Sequence, residues 1–133
     1  LDLDTATVSR LRAEDRTVYF GNANDPHMLE KLQVEEAASL VITMDDHKSA
    51  EQIVTTASQR WPGIPIVVRA RDKTQAQRLL SLGATSVVPE TIEASLDLAE
   101  VVFAKVGIGA ETARQLIADR RQLERAALTK SNE

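Results

Sequence analysis

Short runs of β-branched and aliphatic residues, set apart by longer stretches with helical spacing, constrain this chain more than any other feature. The runs are residues 17–20, ending at Gly21; 39–43, ending at Met44-Asp45-Asp46; 65–69, entered through Pro62-Gly63; and 85–88, ending at Pro89. Leu1-Asp2-Leu3-Asp4 reads as the tail of another strand. The internal runs are nearly continuous in apolar residues, as expected of strands covered on both faces. Between them lie helical patterns over residues 6–14, 26–32, 50–61 and 73–82, carrying Val8 and Leu11, Met28 and Leu29, Ile53 and Val54, and Ala76 and Leu79. Strand and helix alternating at this spacing predict right-handed βαβ units, and so an α/β fold with a Rossmann-like, doubly wound parallel sheet.

Composition agrees. With 133 residues, the chain suffices for one domain able to bury roughly two-thirds of its unfolded surface. Aromatics make up only 3%, so the core must be built from Val, Leu, Ile and Ala. A net charge of -4, with no basic stripe, argues against nucleic-acid binding. The absence of cysteine excludes disulfides, thiolate metal sites and cysteine nucleophiles. Apolar stretches fall well short of the roughly 20 residues that span a bilayer, and no leader pattern is present, so the chain by itself reads as cytosolic.

The last third differs. Residues 91–106 are apolar nearly all round, with Ile92, Leu96, Ala99 and Phe103 on one side and Leu98, Val101, Val102 and Val106 largely on others. A helix of that kind needs cover on more than one side. Gly107-Ile108-Gly109 then interrupts the pattern, which resumes over residues 110–128 with Ala113, Leu116, Ile117 and Leu123. Two helices around a glycine hinge, with surplus apolar surface, predict a homodimer, plausibly through an exchanged helix. The alternative is a helical hairpin closing onto its own sheet. Residues 1–90 are therefore read as a partial nucleotide-binding domain and 91–133 as a dimerisation arm, with residues 129–133 frayed.

Open parallel sheets bind ligands beyond the carboxyl ends of their strands. There, Asp2 is placed to accept hydrogen bonds from ribose hydroxyls, whereas Asp4 suits helix capping. Gly21 permits close backbone approach, and Asn22 offers donor and acceptor to an adenine edge; the same loop also reads as a turn with an Asp25 cap before Pro26. Asp45 can face ribose or a cation, with capping by Asp45 or Asp46 as the competing role. Arg69 and Arg71 suit a phosphate or carboxylate, against surface ion pairs with Asp72, Glu90 or Glu93. His27 and His47 lack partners at ligand spacing, so no metal is expected. No Ser-His-Asp arrangement or acid–base pair marks catalysis, so the chain does not read as an enzyme. A dinucleotide fold opens with G-x-G-x-x-G, which is missing here. The sequence either starts inside the domain, truncated at its N-terminus, or lacks that turn.

Taken together, these residues resemble the regulator-of-potassium-conductance domain, also called KTN or TrkA-N, in the form found in glutathione-gated potassium efflux (Kef) antiporters. The stretches that carry the resemblance are Asp2-Leu3-Asp4, Val18-Tyr19-Phe20-Gly21-Asn22-Ala23-Asn24, Met44-Asp45-Asp46, Val68-Arg69-Ala70-Arg71-Asp72, Leu82-Gly83-Ala84 and Val88-Pro89-Glu90-Thr91 into Glu93-Ala94-Ser95-Leu96. The resemblance covers essentially residues 1 to 128. The resemblance implies a regulatory domain on the cytoplasmic face of the bacterial inner membrane. It would bind an adenine nucleotide (NAD(H) or AMP), dimerise through a crossover helix and act on the membrane-embedded portion of a potassium/proton antiporter. It further implies Asp2 as the ribose acid, Asn22 near adenine, and Arg69 and Arg71 beside a glutathione cleft. The family usually carries Gly-Asp-Ala-Thr where this chain has Gly21-Asn22-Ala23-Asn24, one charge fewer beside the nucleotide. Competing readings are a stand-alone NAD-binding subunit serving a separate potassium channel or uptake system, and a fragment of an NAD-dependent dehydrogenase.

Overall fold

A computed structural model describes residues 1–130. In chain order it contains α1 (Thr5–Ala13), α2 (Pro26–Lys31), a 3₁₀ turn (Val34–Glu36), β1 (Leu40–Ile42), α3 (His47–Arg60), β2 (Ile66–Ala70), α4 (Lys73–Ser81), β3 (Ser86–Pro89), α5 (Glu90–Lys105) and α6 (Ala110–Lys130). Of the tail expected to fray, Thr129 and Lys130 belong to α6; residues 131–133 lie outside the described residues.

The three strands form one parallel sheet in the order β1-β2-β3, with Ile42 beside Val68 and Val68 beside Val87. Because the strands advance in one direction, right-handed crossovers place α3 and α4 on the same face. That face is packed: Ile42, Ile66, Val68, Ala70 and Val87 of the sheet meet Ile53, Val54 and Ala57 of α3 and Ala76 and Leu79 of α4. The other face is only partly covered. Val41 is 61% exposed and Val88 37%, so the expectation of helices over both faces is not met within this chain.

Residues 17–20 do not form the strand expected of them. They make a single parallel bridge, Phe20 to Asp2, flanked by hydrogen bonds from the Asp2 N–H to the Tyr19 carbonyl and from the Gly21 N–H to the Asp2 carbonyl, both 3.0 Å. Past the bridge, Asp4 caps α1, its carboxylate accepting from the Ala6 N–H.

Aspartates set the helix starts. Asp25, Asp46 and Asp72 cap α2, α3 and α4 through their side chains, each accepting one of the free amides of a first turn. At the far end of α4 the chain reverses through Gly83, at φ +113°. A Cβ built there would lie 2.6 Å from Ser58 Cβ, so both the backbone conformation and the close approach of α3 require glycine.

The last two helices form a hairpin within the chain. Leu96 of α5 and Ala113 and Ile117 of α6 are buried, while Ile92, Ala99 and Phe103 are half-buried. Arg121 fastens α6 to α5 through a bidentate pair with Glu93, at 3.0 and 3.2 Å from its Nε, which holds the guanidinium above its ordinary pKa. Near its end α6 reaches back to the main core, where Leu128 is 3% exposed. Leu128 thus helps to tie α6 to the core of the sheet and its helices. Leu128→Ala is expected to cost about 2–5 kcal/mol in urea unfolding, whereas Leu123→Ala, on the exposed side of the same helix, should stay within about 0.5 kcal/mol in the monomer. Equal effects would show that α6 is not seated as described.

Candidate functional site

The carboxyl ends of the strands gather most of the residues singled out from sequence. β1 leads to Met44, Asp45 and Asp46, β2 delivers Arg69 and Arg71, and β3 runs into Glu90. Met44, Asp45, Arg69, Arg71 and Glu90, together with His47 and Gln75, line a cleft of about 110 Å³.

The two arginines are not equivalent. Arg69 lies on β2 between the buried Val68 and Ala70, so the strand's alternation turns it away from the core. Its guanidinium is held by carboxylates on both sides: Asp45, and Glu90 at 2.8 Å. Arg71 has left the strand. Its backbone N–H donates to Gln75 Oε1 (2.7 Å) and its carbonyl accepts from Thr91 N–H (3.1 Å). Its side chain is exposed and makes no ion pair among the described residues. An incoming anion therefore meets Arg71 as an open cation, while Arg69 would first have to release a carboxylate. Of the competing partners named for the arginines, Glu90 takes Arg69, Asp72 caps α4, and Glu93 pairs with Arg121.

Asp2, Gly21 and Asn22 form a second group around the Asp2–Phe20 bridge. Asp2 Oδ1 accepts from the Asp4 N–H (2.8 Å), leaving Oδ2 without a partner among the described residues. Asn22 Oδ1 accepts from the Asn24 N–H at 2.9 Å. Gly21 is buried, and a Cβ on it would lie 2.9 Å from Met28 Cε and 3.0 Å from Leu1 Cδ1. The bare backbone at Gly21 thus meets protein side chains. Asp45 is drawn to Arg69, and no hydrogen bond or ion pair joins it to Asp2 or Asn22 among the described residues.

A link between the two groups was not read from sequence. Asn24 Nδ2 donates to Ser49 Oγ (2.7 Å), and the Ser49 hydroxyl donates in turn to Asp46. The loop after Phe20 is thereby tied to the first turn of α3. The Ser49 hydroxyl, followed by the Ser49 N–H, holds the Asp46 carboxyl below its ordinary value of 3.8. Asp4 is lowered likewise, first by the Thr7 hydroxyl and then by the Ala6 N–H. Only the pairing of Ser49 with Asp46 at capping spacing was available to sequence; the Asn24 contact spans 25 residues. His27 pairs with Glu30 at 3.2 Å, and no metal-binding cluster of acids and histidines occurs among the described residues.

Residues 1–90 match the TrkA-N domain. The chain belongs to the TrkA-N domain family. It is 35% identical over 121 residues to the putative K(+) efflux antiporter KefB of Alkalimonas amylolytica, covering 91% of this chain and 18% of that protein. The chain thus spans less than a fifth of that relative's length. Among solved structures, the Shewanella denitrificans Kef CTD in its AMP-bound form is similar with a TM-score of 0.76 and 25% identity, over 94% of this chain and 89% of that one. The TrkA-N domain of the inner membrane protein ybaL from Escherichia coli gives a TM-score of 0.68 at 26% identity, over 74% and 73% of the two chains. The TrkA-N match, the parallel α/β sheet and the helical C-terminal part agree with the fold class read from sequence.

The unequal pairing of the arginines predicts unequal effects on stability. Arg69→Met, which leaves Asp45 and Glu90 facing each other, should cost about 1 kcal/mol in thermal unfolding. Arg71→Met should fall within about 0.5 kcal/mol of the parent. For Asp46 the lowered pKa means that its contribution is complete above 3.8 and lost as pH falls below it. Asp46→Asn should accordingly flatten the loss of melting temperature on acidification below that value.

Proposed function

We propose that this chain is the ligand-sensing regulatory domain of a potassium/proton antiporter, gating ion efflux from the cytoplasmic face of a bacterial inner membrane. The observation that carries the reading is its likeness, over 94% of its length, to a Kef domain solved with AMP. No helix among the described residues is long and apolar enough to cross a membrane, so the pore would be formed by other parts of the transporter. Adenine nucleotide would lie across the Asp2–Phe20 bridge, with Asp2 Oδ2 accepting from ribose and Asn22 beside the base. Asp45 would face this ligand only after parting from Arg69. A second, anionic ligand of the glutathione type would enter the 110 Å³ cleft through Arg71.

Transmission follows from the contacts of that cleft. Glu90 is the first residue of α5 and pairs with Arg69; the next N–H, of Thr91, donates to the Arg71 carbonyl. A ligand competing with Glu90 for Arg69 would loosen the start of α5. Residues 91–133 would serve as the dimerisation arm beside a nucleotide-binding half of residues 1–90. The dimer surface assigned to α5 is the side that the chain leaves uncovered. Phe103 is half-buried within the chain, whereas Leu98 (66% exposed), Val101, Val102 and Val106 form an outward stripe. Burying that stripe against a second copy would remove roughly 1.5–3 kcal/mol of exposed apolar surface per side chain.

Ligand-dependent melting with AMP, NAD(H), ATP and glutathione tests the sensor reading. A stabilising nucleotide whose affinity drops about tenfold in Asp2→Ala is expected. Absence of any shift at millimolar ligand would remove it. For assembly, Leu98→Asp should yield a folded monomer by light scattering, while a Leu98→Asp protein that stays dimeric would place the interface elsewhere.

A further inference from the structure

We infer that His47 makes the cleft at the strand ends a proton-linked anion site, which binds more tightly as pH falls through the range where histidine takes up its proton. The inference rests on the anionic-ligand reading of that cleft given above. Among the described residues, Asp45, Arg69, Arg71 and Glu90 are the charged side chains of the lining, so two guanidinium groups stand against two carboxylates and their formal charges cancel. Arg69 is held between Asp45 and Glu90, which leaves Arg71 to receive the ligand. His47 belongs to the same lining. It sits half-buried at the first position of α3 and makes no hydrogen bond or ion pair among the described residues. Its proton therefore decides the balance: the lining is neutral with the imidazole uncharged and carries one positive unit with it protonated.

The groups around His47 keep their charges while it changes. Histidine gains or loses its proton between about pH 5 and 8, whereas carboxylates ionise near about pH 4 and guanidinium stays charged. The segment leading into α3 supplies Asp45 and Asp46, β2 supplies Arg69 and Arg71, α5 supplies Glu90, and α4 supplies the neutral Gln75. Lys48, next along α3, lines a separate groove with Glu51 and Arg78. Asp46 is held low by the Ser49 hydroxyl and N–H, and His47 adds a smaller pull in the same direction. The sign follows: the imidazolium attracts an anion bound at Arg71, and the bound anion in turn strengthens the hold of His47 on its proton. A unit charge about 4 Å away in water is worth roughly fivefold in affinity.

Isothermal titration of the protein with reduced glutathione and with sulfate, at about pH 6 and about pH 7.5, tests the link, since both probes keep their charge across that interval. In the native protein each should bind about three- to fivefold more tightly at the lower pH. His47→Gln should bind at both pH values as weakly as the native protein does at the higher one. His47→Lys, charged throughout, should bind at both as tightly as the native protein does at the lower one. His27, the other histidine of the chain, is kept in both variants, so a general change in protein charge would survive the substitutions. Equal native affinities at the two pH values, or a dependence that persists in His47→Gln, would overturn the inference and leave the anion site standing. If neither probe binds at either pH, the anionic-ligand reading itself fails, and the proton link with it.

Discussion

β2 is hydrogen-bonded to a strand on each side, and its residues face two environments in turn. Ile66, Val68 and Ala70 point into the layer made by α3 and α4 and are almost wholly buried. Val67 and Arg69 point the other way and are only half-buried. Because the period of a strand is two, a slip of one residue would drive a guanidinium into the core and bring Ile66 and Val68 out of it. The same register that packs the sheet therefore fixes which arginine stays on the strand and which leaves it. The position of Arg69 between Asp45 and Glu90 depends on the parallel order β1-β2-β3, which brings the ends of the three strands together.

Around this frame, polar groups are used economically. Aspartates at the starts of α1, α2, α3 and α4 satisfy first-turn amides that would otherwise lack partners. Two acids differ: Asp45 and Glu90 are spent on Arg69, leaving Arg71 the open cation in the cleft. The cleft thus holds its own internal anions. One of them, Glu90, is the first residue of α5. From there the hairpin of α5 and α6 leads, by way of Glu93 and Arg121, to Leu128 in the main core.

Much of this was legible in the chain. The β-branched runs at 39–43, 65–69 and 85–88 became parallel strands, and the helical stretches became helices within a few residues of the expected bounds. Two elements were read less well, for different reasons. Residues 17–20 have strand character, yet only Phe20 is bridged, to Asp2, and pairing depends on a partner elsewhere in the chain that local pattern does not reveal. Near-continuous apolar runs suggested cover on both faces, but α3 and α4 cross over on one side, and Val41 and Val88 remain exposed on the other. In α5 the surplus of apolar residues was visible; which side the chain itself covers was not. The partner helix lies beyond the Gly107-Ile108-Gly109 turn, and within the chain it is Leu96 that is buried and Phe103 half-buried.

The sequence by itself determined the kind of each long element, the helix caps and the group of residues at the strand ends, because periodicity, capping and turn chemistry act over a few neighbouring positions. Tertiary structure decided the state of those residues. Arg69 and Arg71 are two positions apart and chemically alike, yet one is doubly paired and the other open, since Asp45 and Glu90 lie 24 and 21 residues away along the chain. Contacts of that kind depend on strand order and on the path of the loops, which local pattern does not encode.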